Sequence, residues 1–223
     1  MRKIITTICA FILTIGASAQ MMSGGFHLDH RSVYYGLRMG FTSAHIGGDF
    51  DTDARTGLNL GAVVGLRCSP YTPMFLESGI YYTERGGKEG VPGLERGENA
   101  TLKYNLSYLE IPVLMKYGIE VADRFAVLPY VGPTFAFGVG GQIKETSPAG
   151  SRKYDSFGSD RFKRFDVGIK LGCGVEWNMI YAELGYQWGI TNIGEYKITN
   201  ISGESTDYDA FNRAFYMNIG INF

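Results

Sequence analysis

The feature that most constrains this chain is a regular alternation of apolar and polar side chains along extended segments. Between residues 165 and 177, every second residue is apolar and the residues between them are glycine, aspartate, lysine or glutamate. Residues 215–223 repeat the pattern with a second apolar face. Because successive side chains of a β-strand point to opposite faces, this period predicts strands with one apolar and one polar face. No stretch after residue 20 reaches the roughly 18 consecutive apolar residues of a transmembrane helix.

The same period recurs along the chain and predicts eight strands. They lie at about residues 35–42, 58–67, 76–83, 108–117, 127–139, 165–177, 182–190 and 214–223. The connections alternate between short ones (69–73, 118–124 and 178–179) and long polar ones (46–55, 86–100, 144–161 and 192–211). Short turns at one end and long loops at the other are typical of outer-membrane barrels. We therefore predict an all-β fold, an eight-stranded antiparallel up-and-down transmembrane β-barrel.

Aromatic residues on the apolar faces form two bands, as expected for side chains at the two membrane interfaces. The lower band holds Tyr35, Tyr117, Trp177 and Phe223, near the short turns, and the upper band holds Phe41, Tyr82, Phe165, Trp188 and Phe215. With a rise of ~3.3 Å per residue and a tilt of ~40°, the bands lie about 20–30 Å apart. This spacing predicts a lipid-facing girdle at each interface.

The opposite faces carry charge. They hold four cations and five anions: Arg38, Arg67, Lys116 and Lys170, with Glu77, Glu110, Asp166, Glu176 and Glu183. An eight-stranded barrel is only wide enough for its own side chains, and unpaired charges inside it are costly. We predict an interlocked network of ion pairs that fills the lumen. An ion path or proton relay is the functional alternative, and the narrow lumen favours the structural filling.

The first residues have the features of an export signal. Arg2 and Lys3 precede an apolar run over residues 4–15, and Ala17-Ser18-Ala19 matches a cleavage site. We predict a signal peptide at 1–19, a short periplasmic segment at 20–32 and the barrel at 33–223. Both chain termini would then be periplasmic.

Few residues offer other chemistry. Asp49, Asp51 and Asp53 have the spacing that begins a calcium loop, but Ala54 replaces the required glycine and Leu60 the final glutamate. A solvated acidic loop is the preferred interpretation, and whether it binds calcium is left open.

The cysteines and histidines favour no cofactor. The mature cysteines, Cys68 and Cys173, are predicted on the outer faces of separate strands, so we expect free thiols and no metal site. The histidines are His27, His30 and His45, and Ser43 shares a strand face with the last of them. Some small outer-membrane barrels are lipid-modifying hydrolases, but two neighbours on one strand do not make a catalytic triad, so that alternative is disfavoured and we predict no enzyme activity. A net charge of −1 and a pI near 6.3 give no basis for nucleic-acid binding.

Residues 108–117, Tyr-Leu-Glu-Ile-Pro-Val-Leu-Met-Lys-Tyr, resemble a strand of the PorT-like outer-membrane β-barrel family. Residues 77–82, residues 129–133 and the terminal Phe223 agree with this resemblance. It implies a small barrel in the outer membrane of a Gram-negative bacterium, inserted by the barrel assembly machinery. The founding member is associated with type IX secretion, but most relatives have no assigned role. The resemblance supplies no catalytic residues.

Three functions remain open from the sequence. The first is a non-enzymatic outer-membrane barrel with a structural, adhesive or partner-binding surface, in contact with membrane lipid. The second is an accessory component of a PorT-type secretion apparatus, which would use residues 20–32 and the short turns. The third is a soluble lipocalin-like carrier with its apolar faces turned inward. The alternating connections and aromatic bands favour the first.

Overall fold

The computed structural model describes residues 32–48, 52–91, 100–147, 150–157, 162–194, 197–199, 205–207 and 209–223. Its strands are β1 (Val33–Gly48), β2 (Asp53–Arg67), β3 (Met74–Val91), β4 (Ala100–Tyr117), β5 (Ile119–Ala122), β6 (Phe125–Ser147), β7 (Gly150–Asp155), β8 (Phe165–Trp177), β9 (Ile180–Gly189), β10 (Lys197–Thr199), β11 (Ser205–Asp207) and β12 (Ala210–Asn222). In the described part of the chain, no helix has the length and hydropathy needed to cross a bilayer.

Eight of these strands pair into a closed ring. Its order is β1, β2, β3, β4, β6, β8, β9 and β12, and β12 pairs with β1 to complete it. All pairs are antiparallel, and Leu37 of β1 lies opposite Ala62 of β2 on one side and Ile221 of β12 on the other. The short strands β5 and β7 pair with β6, while β10 pairs with β11. The predicted eight-stranded antiparallel barrel is confirmed.

The barrel is apolar on the outside and polar on the inside. In the middle of the wall, Leu171, Leu184 and Ile219 are 51%, 54% and 58% exposed, respectively. The alternate positions, such as Asn218 and Glu183, are buried. This polarity is the reverse of a carrier with an apolar cavity, so the lipocalin-like alternative does not describe this barrel.

The strands extend into the predicted long loops. β3 continues to Val91 and pairs with β4 from Ala100 onward, and β6 continues to Ser147 before it turns back as β7. These extensions carry polar residues or glycine on their outward side, so the apolar–polar alternation stops while the strand continues. The loss of apolar alternation was therefore misread as the end of each strand.

Inward tyrosines pack over glycines of the neighbouring strand. Four tyrosines, each 4% exposed or less, lie directly opposite a glycine: Tyr34 opposite Gly65, Tyr81 opposite Gly61, Tyr130 opposite Gly172 and Tyr216 opposite Gly185. A Cβ atom added to any of these glycines would overlap the tyrosine ring or hydroxyl. At these four positions the narrow lumen accommodates a tyrosine because the residue opposite it has no side chain.

This packing predicts a destabilisation when Gly61 is replaced by alanine. The new methyl group would overlap the buried ring of Tyr81, so we expect a loss of about 1–3 kcal/mol in the free energy of unfolding. Gly90→Ala is the control, because a Cβ there meets no atom within 4 Å. Both changes reduce unfolded-chain entropy alike. Urea unfolding of the refolded barrel in detergent micelles measures the difference, and equal midpoints would contradict the packing.

Candidate functional site: the lumen network

Eight charged side chains meet inside the barrel, and each residue is 5% exposed or less. We call them the lumen network: Arg38, Arg85, Lys116 and Lys170, with Glu77, Glu110, Asp166 and Glu183. They come from β1, β3, β4, β8 and β9, so the contacts cross the lumen. Four cations face four anions, and the charges of the network cancel.

The half of the network nearer the short turns centres on Lys116. Its Nζ lies 2.8 Å from Oε1 of Glu77 and 3.9 Å from Oε2 of Glu183. Arg38 approaches Glu77 from the other side, with Nη2 3.6 Å from Oε2. Tyr34 donates its hydroxyl proton to the same Glu77 oxygen at 2.6 Å. Each carboxylate in this half therefore has a cation and a hydrogen-bond donor beside it.

The half nearer the long hairpins centres on Arg85. Its guanidinium contacts Glu110, lies 3.2 Å from Oδ2 of Asp166 and donates to Oε1 of Gln187 at 2.8 Å. Lys170 contacts Glu110 as well. One arginine thus joins β3 to β4, β8 and β9, and Lys170 keeps Glu110 partnered independently of Arg85.

Amide side chains add hydrogen bonds to the network. Asn218 donates to Glu183 at 2.8 Å, Asn212 donates to Asp166 at 2.8 Å, and Arg38 donates to Asn222 at 2.6 Å. A buried charge is tolerated when its remaining bonding positions are also satisfied. The amides supply some of these bonds without adding charge, whereas the oxygens of Glu110 are held by ion-pair contacts with Arg85 and Lys170.

A second group of side chains closes the barrel above Arg85. This mouth cluster is buried and mainly apolar: Ile46, Tyr104, Leu106, Tyr108, Ala136, Ile143, Phe157, Phe162, Ile193 and Ala210. The ring of Phe157 stands edge-on to Tyr108 at 5.6 Å between centroids, and Phe162 stands edge-on to Tyr104 at 5.9 Å. The mouth cluster rests directly on the lumen network, because Asn212 donates to both the Tyr108 hydroxyl and Asp166.

The structure gathers seven of the nine predicted lumen charges into the network and places two elsewhere. Arg67 is half-buried at the short-turn end, where its guanidinium donates to the carbonyls of Ser69 and Pro70. Glu176 is buried opposite Tyr181 near the same end. Both are among the last two residues of their strands, at the short-turn end of the barrel.

Arg85 was missed because the third predicted strand stopped at residue 83. A signal was present, since Thr83 and Arg85 continue the inward positions of Glu77 and Tyr81. The inward amides Gln187 and Asn212 were not predicted, because charge alone does not distinguish an inward amide from other polar residues.

The predicted girdle residues lie on the outer wall. Eight of the nine side chains are exposed: Tyr35, Phe41, Tyr82, Tyr117, Phe165, Trp177, Trp188 and Phe215; Phe223 is half-buried. Tyr82 and Phe165 belong to one cross-strand row, which also contains Leu109 and Phe137. This row bounds the apolar wall on the side of the long hairpins.

The remaining candidate residues form no recognisable site in the part of the chain that the structure describes. Asp49, Asp51, His27 and His30 lie outside the described residues, as does the signal peptide. Among the residues that the structure describes, no group of three or more His, Cys, Asp or Glu could hold a metal ion. Cys68 and Cys173 are free thiols. Ser43 faces Phe215 and Thr56 across the sheet, and His45 faces Arg213.

Comparison with known proteins identifies the family. Residues 18–195 match the model of the outer membrane protein beta-barrel domain family. The chain belongs to this family. The barrel is accordingly an outer-membrane protein, the class in which closed barrels carry an apolar outer face. No curated protein matches the sequence.

Several solved structures resemble this outer-membrane barrel at low sequence identity. Ail, the attachment invasion locus protein of Yersinia pestis, is 13% identical with a TM-score of 0.44, covering 86% of this chain and 100% of its own. Neisserial surface protein A is 12% identical with a TM-score of 0.43, covering 86% and 98%. A major outer membrane protein from Thermus thermophilus is 12% identical with a TM-score of 0.49, covering 86% and 100%.

Proposed function

We propose that this protein is a non-conducting, non-enzymatic outer-membrane barrel whose long-hairpin end presents a surface to the cell exterior. The observation that carries the proposal is the double closure of the lumen, by the lumen network and by the mouth cluster. The proposed topology has residues 1–19 removed as a signal peptide and both termini in the periplasm, after insertion by the barrel assembly machinery.

The lumen network argues against an ion path. Arg85 and Lys116 each contact carboxylates from two other strands or more, so the ion pairs span the lumen at two levels. An ion that entered would have to separate several buried pairs, and each separation leaves an uncompensated charge. The mouth cluster adds an apolar barrier at the end nearer the long hairpins.

The same contacts argue against catalysis. The four carboxylates of the network are engaged by cations, amides or tyrosine hydroxyls. A general acid or base needs access to a substrate atom at hydrogen-bonding distance. Side chains 5% exposed or less inside a filled barrel offer none.

Conductance measurements test the proposal. We expect the full chain, reconstituted in planar lipid bilayers, to give no conductance steps, because the lumen network closes the passage through the barrel. The Phe157→Ala variant removes one ring from the mouth cluster and leaves the lumen network intact, so we expect it to give no conductance steps either. An open porin in the same bilayer is the positive control. Regular conductance steps from the wild-type barrel would overturn the proposal.

We also propose that the barrel belongs to the PorT-like group within its family, on the resemblance carried by residues 108–117. These residues form the membrane-spanning part of β4 and contribute Glu110 and Lys116 to the lumen network. An accessory role in a type IX apparatus would require contacts at residues 20–32 or at the short turns. Recovery of secretion components with the affinity-tagged full chain, lost on deletion of residues 20–32, would support that role.

A further inference from the structure

Four lysines stand side by side across four neighbouring strands. Lys88 of β3 lies opposite Lys103 of β4, Lys103 lies opposite Lys144 of β6, and Lys144 lies opposite Lys153 of β7. We call these four residues the lysine ladder. Directly opposite residues share a face of the sheet, so all four side chains project from the same surface.

The ladder has no structural explanation within the barrel. Like charges directly opposite each other destabilise a strand pair. Among the described residues, no ion pair or hydrogen bond joins any of the four ammonium groups to an acidic side chain. The four like charges have one carboxylate directly opposite them, Asp53 at the end of the row, and this imbalance indicates that further anionic charge comes from outside the chain.

Nearby carboxylates do not neutralise the row. Asp53 lies opposite Lys88 at one end of the ladder, and Asp155 near the other end accepts the Phe157 backbone N–H at 3.0 Å. Glu89 and Glu145 belong to the neighbouring row on the inner side of the extended wall, where they accept bonds from tyrosine hydroxyls. The outward side therefore keeps an excess of positive charge.

The lysine ladder projects outward, like the apolar wall of the barrel, and it lies beyond that wall on the side of the long hairpins. Tyr82 and Lys88 are both exposed on β3, and the residues at 83, 85 and 87 between them are buried. Six residues of strand at ~3.3 Å each and ~40° tilt place the ladder about 15 Å beyond the row of Tyr82. Three strand spacings of ~4.8 Å give it a width of about 14 Å.

We infer that the lysine ladder binds the phosphate groups of anionic glycolipids in the outer leaflet around the barrel. The inference rests on the proposed orientation, with the long hairpins outside. A lipid partner is favoured over a soluble one because the ladder lies on the side of the barrel wall, directly above the lipid-facing aromatic row. A row of ammonium groups matches several phosphates, each as a point charge.

The test is equilibrium binding of fluorescent diphosphoryl lipid A to the full chain in neutral detergent micelles. We expect saturable binding that weakens with salt. The variant with Lys88, Lys103, Lys144 and Lys153 all changed to Gln is expected to bind at least about tenfold more weakly, since each lysine near an anionic surface contributes to the attraction. The corresponding Lys→Arg variant keeps the charge and is expected to retain the affinity.

The single variant Lys153→Gln is expected to weaken lipid A binding, and Arg152→Gln is its matched single-charge control. Arg152 is adjacent in sequence but belongs to the neighbouring row with Glu145, so its loss should leave lipid A binding unchanged. Heat-modifiable gel mobility confirms that each variant forms the barrel. Equal affinity of the wild type and the quadruple Gln variant would overturn the inference.

Two further measurements separate the possible failures. Binding of heparin that falls in the quadruple Gln variant, with lipid A binding unchanged, would assign the ladder to a soluble polyanion and overturn the lipid proposal. Labelling of Lys153→Cys on intact cells by a membrane-impermeant maleimide, in a Cys68→Ser/Cys173→Ser background, tests the orientation alone. Labelling with loss of lipid A binding in the quadruple variant supports the inference, whereas absence of labelling overturns the orientation together with it.

Discussion

Arg85→Met is expected to lower the free energy of unfolding of the barrel by about 3–5 kcal/mol. Arg85 contacts Glu110, pairs with Asp166 at 3.2 Å and donates to Gln187. Methionine fills a similar volume but leaves Asp166 buried without its cation. The loss of stability comes from leaving the Asp166 carboxylate buried without a cation. Removing one partner of a buried ion pair destabilises a protein far more than removing both.

A double variant checks this cause. Arg85→Met combined with Asp166→Asn removes one cation and one anion, and Glu110 keeps its contact with Lys170. We expect the double variant to regain a large part of the lost stability. Urea unfolding of the refolded barrel in micelles, followed by tryptophan fluorescence and gel mobility, measures both variants against the wild type.

Arg67→Met is the control for the arginine substitution itself. Arg67 is half-buried and donates to carbonyls of the turn at Ser69 and Pro70, so the expected loss is no more than about 1 kcal/mol. Equal losses for Arg67→Met and Arg85→Met would show that the lumen is wet enough to solvate its charges. In that case the closed-lumen proposal fails along with the prediction.

The period of two could predict the barrel because it determines which face each residue occupies. Once residues 165–177 are assigned as a strand, Asp166 and Lys170 must share a face, and a narrow barrel turns that face inward. The same reasoning reached Glu77, Glu110 and Lys116. The alternation depends on the contrast between lipid and lumen, and such a contrast exists only within the membrane.

Where the strands extend beyond the membrane, the contrast between lipid and lumen ends, and the apolar–polar alternation of the sequence ends with it. Arg85 still occupies an inward position of β3, but the outward residues around it are no longer apolar, so the period of two no longer indicates a strand there. The mouth cluster was missed for a related reason. Phe157 and Phe162 lie in the connection between β7 and β8 and Ile193 lies after β9, and only the fold brings them onto Tyr108 and its neighbours.

Register is the other quantity that the sequence alone could not supply. The lysine ladder exists only because β3, β4, β6 and β7 align Lys88, Lys103, Lys144 and Lys153. A shift at Ser107 and Tyr108, where β4 meets Gly140 and Gly138 of β6, sets that alignment. One extra residue in β6 at this point decides whether a lysine or its neighbour faces outward.

Ile219→Arg is expected to cost about 2–4 kcal/mol when the barrel is folded into lipid vesicles. Ile219 is 58% exposed, lies midway between Phe215 and Phe223, and faces Met39 and Ala182 on the neighbouring strands. An arginine there would hold its charge near the centre of the bilayer, where no described acidic side chain on the outer wall stands beside it. Urea unfolding in vesicles measures the loss.

Val121→Arg separates the effect of lipid from that of exposure. Val121 is 63% exposed, slightly more than Ile219, but it lies in β5 at the short-turn end of the barrel. Because the cost of an arginine falls to about 0–1 kcal/mol near the interface, we expect this variant to fold nearly as well as the wild type. If exposure alone determined the cost, the two variants would behave alike, and the apolar wall would have to be covered by something other than the bilayer. A large difference between them places the apolar middle of the wall in the hydrocarbon core.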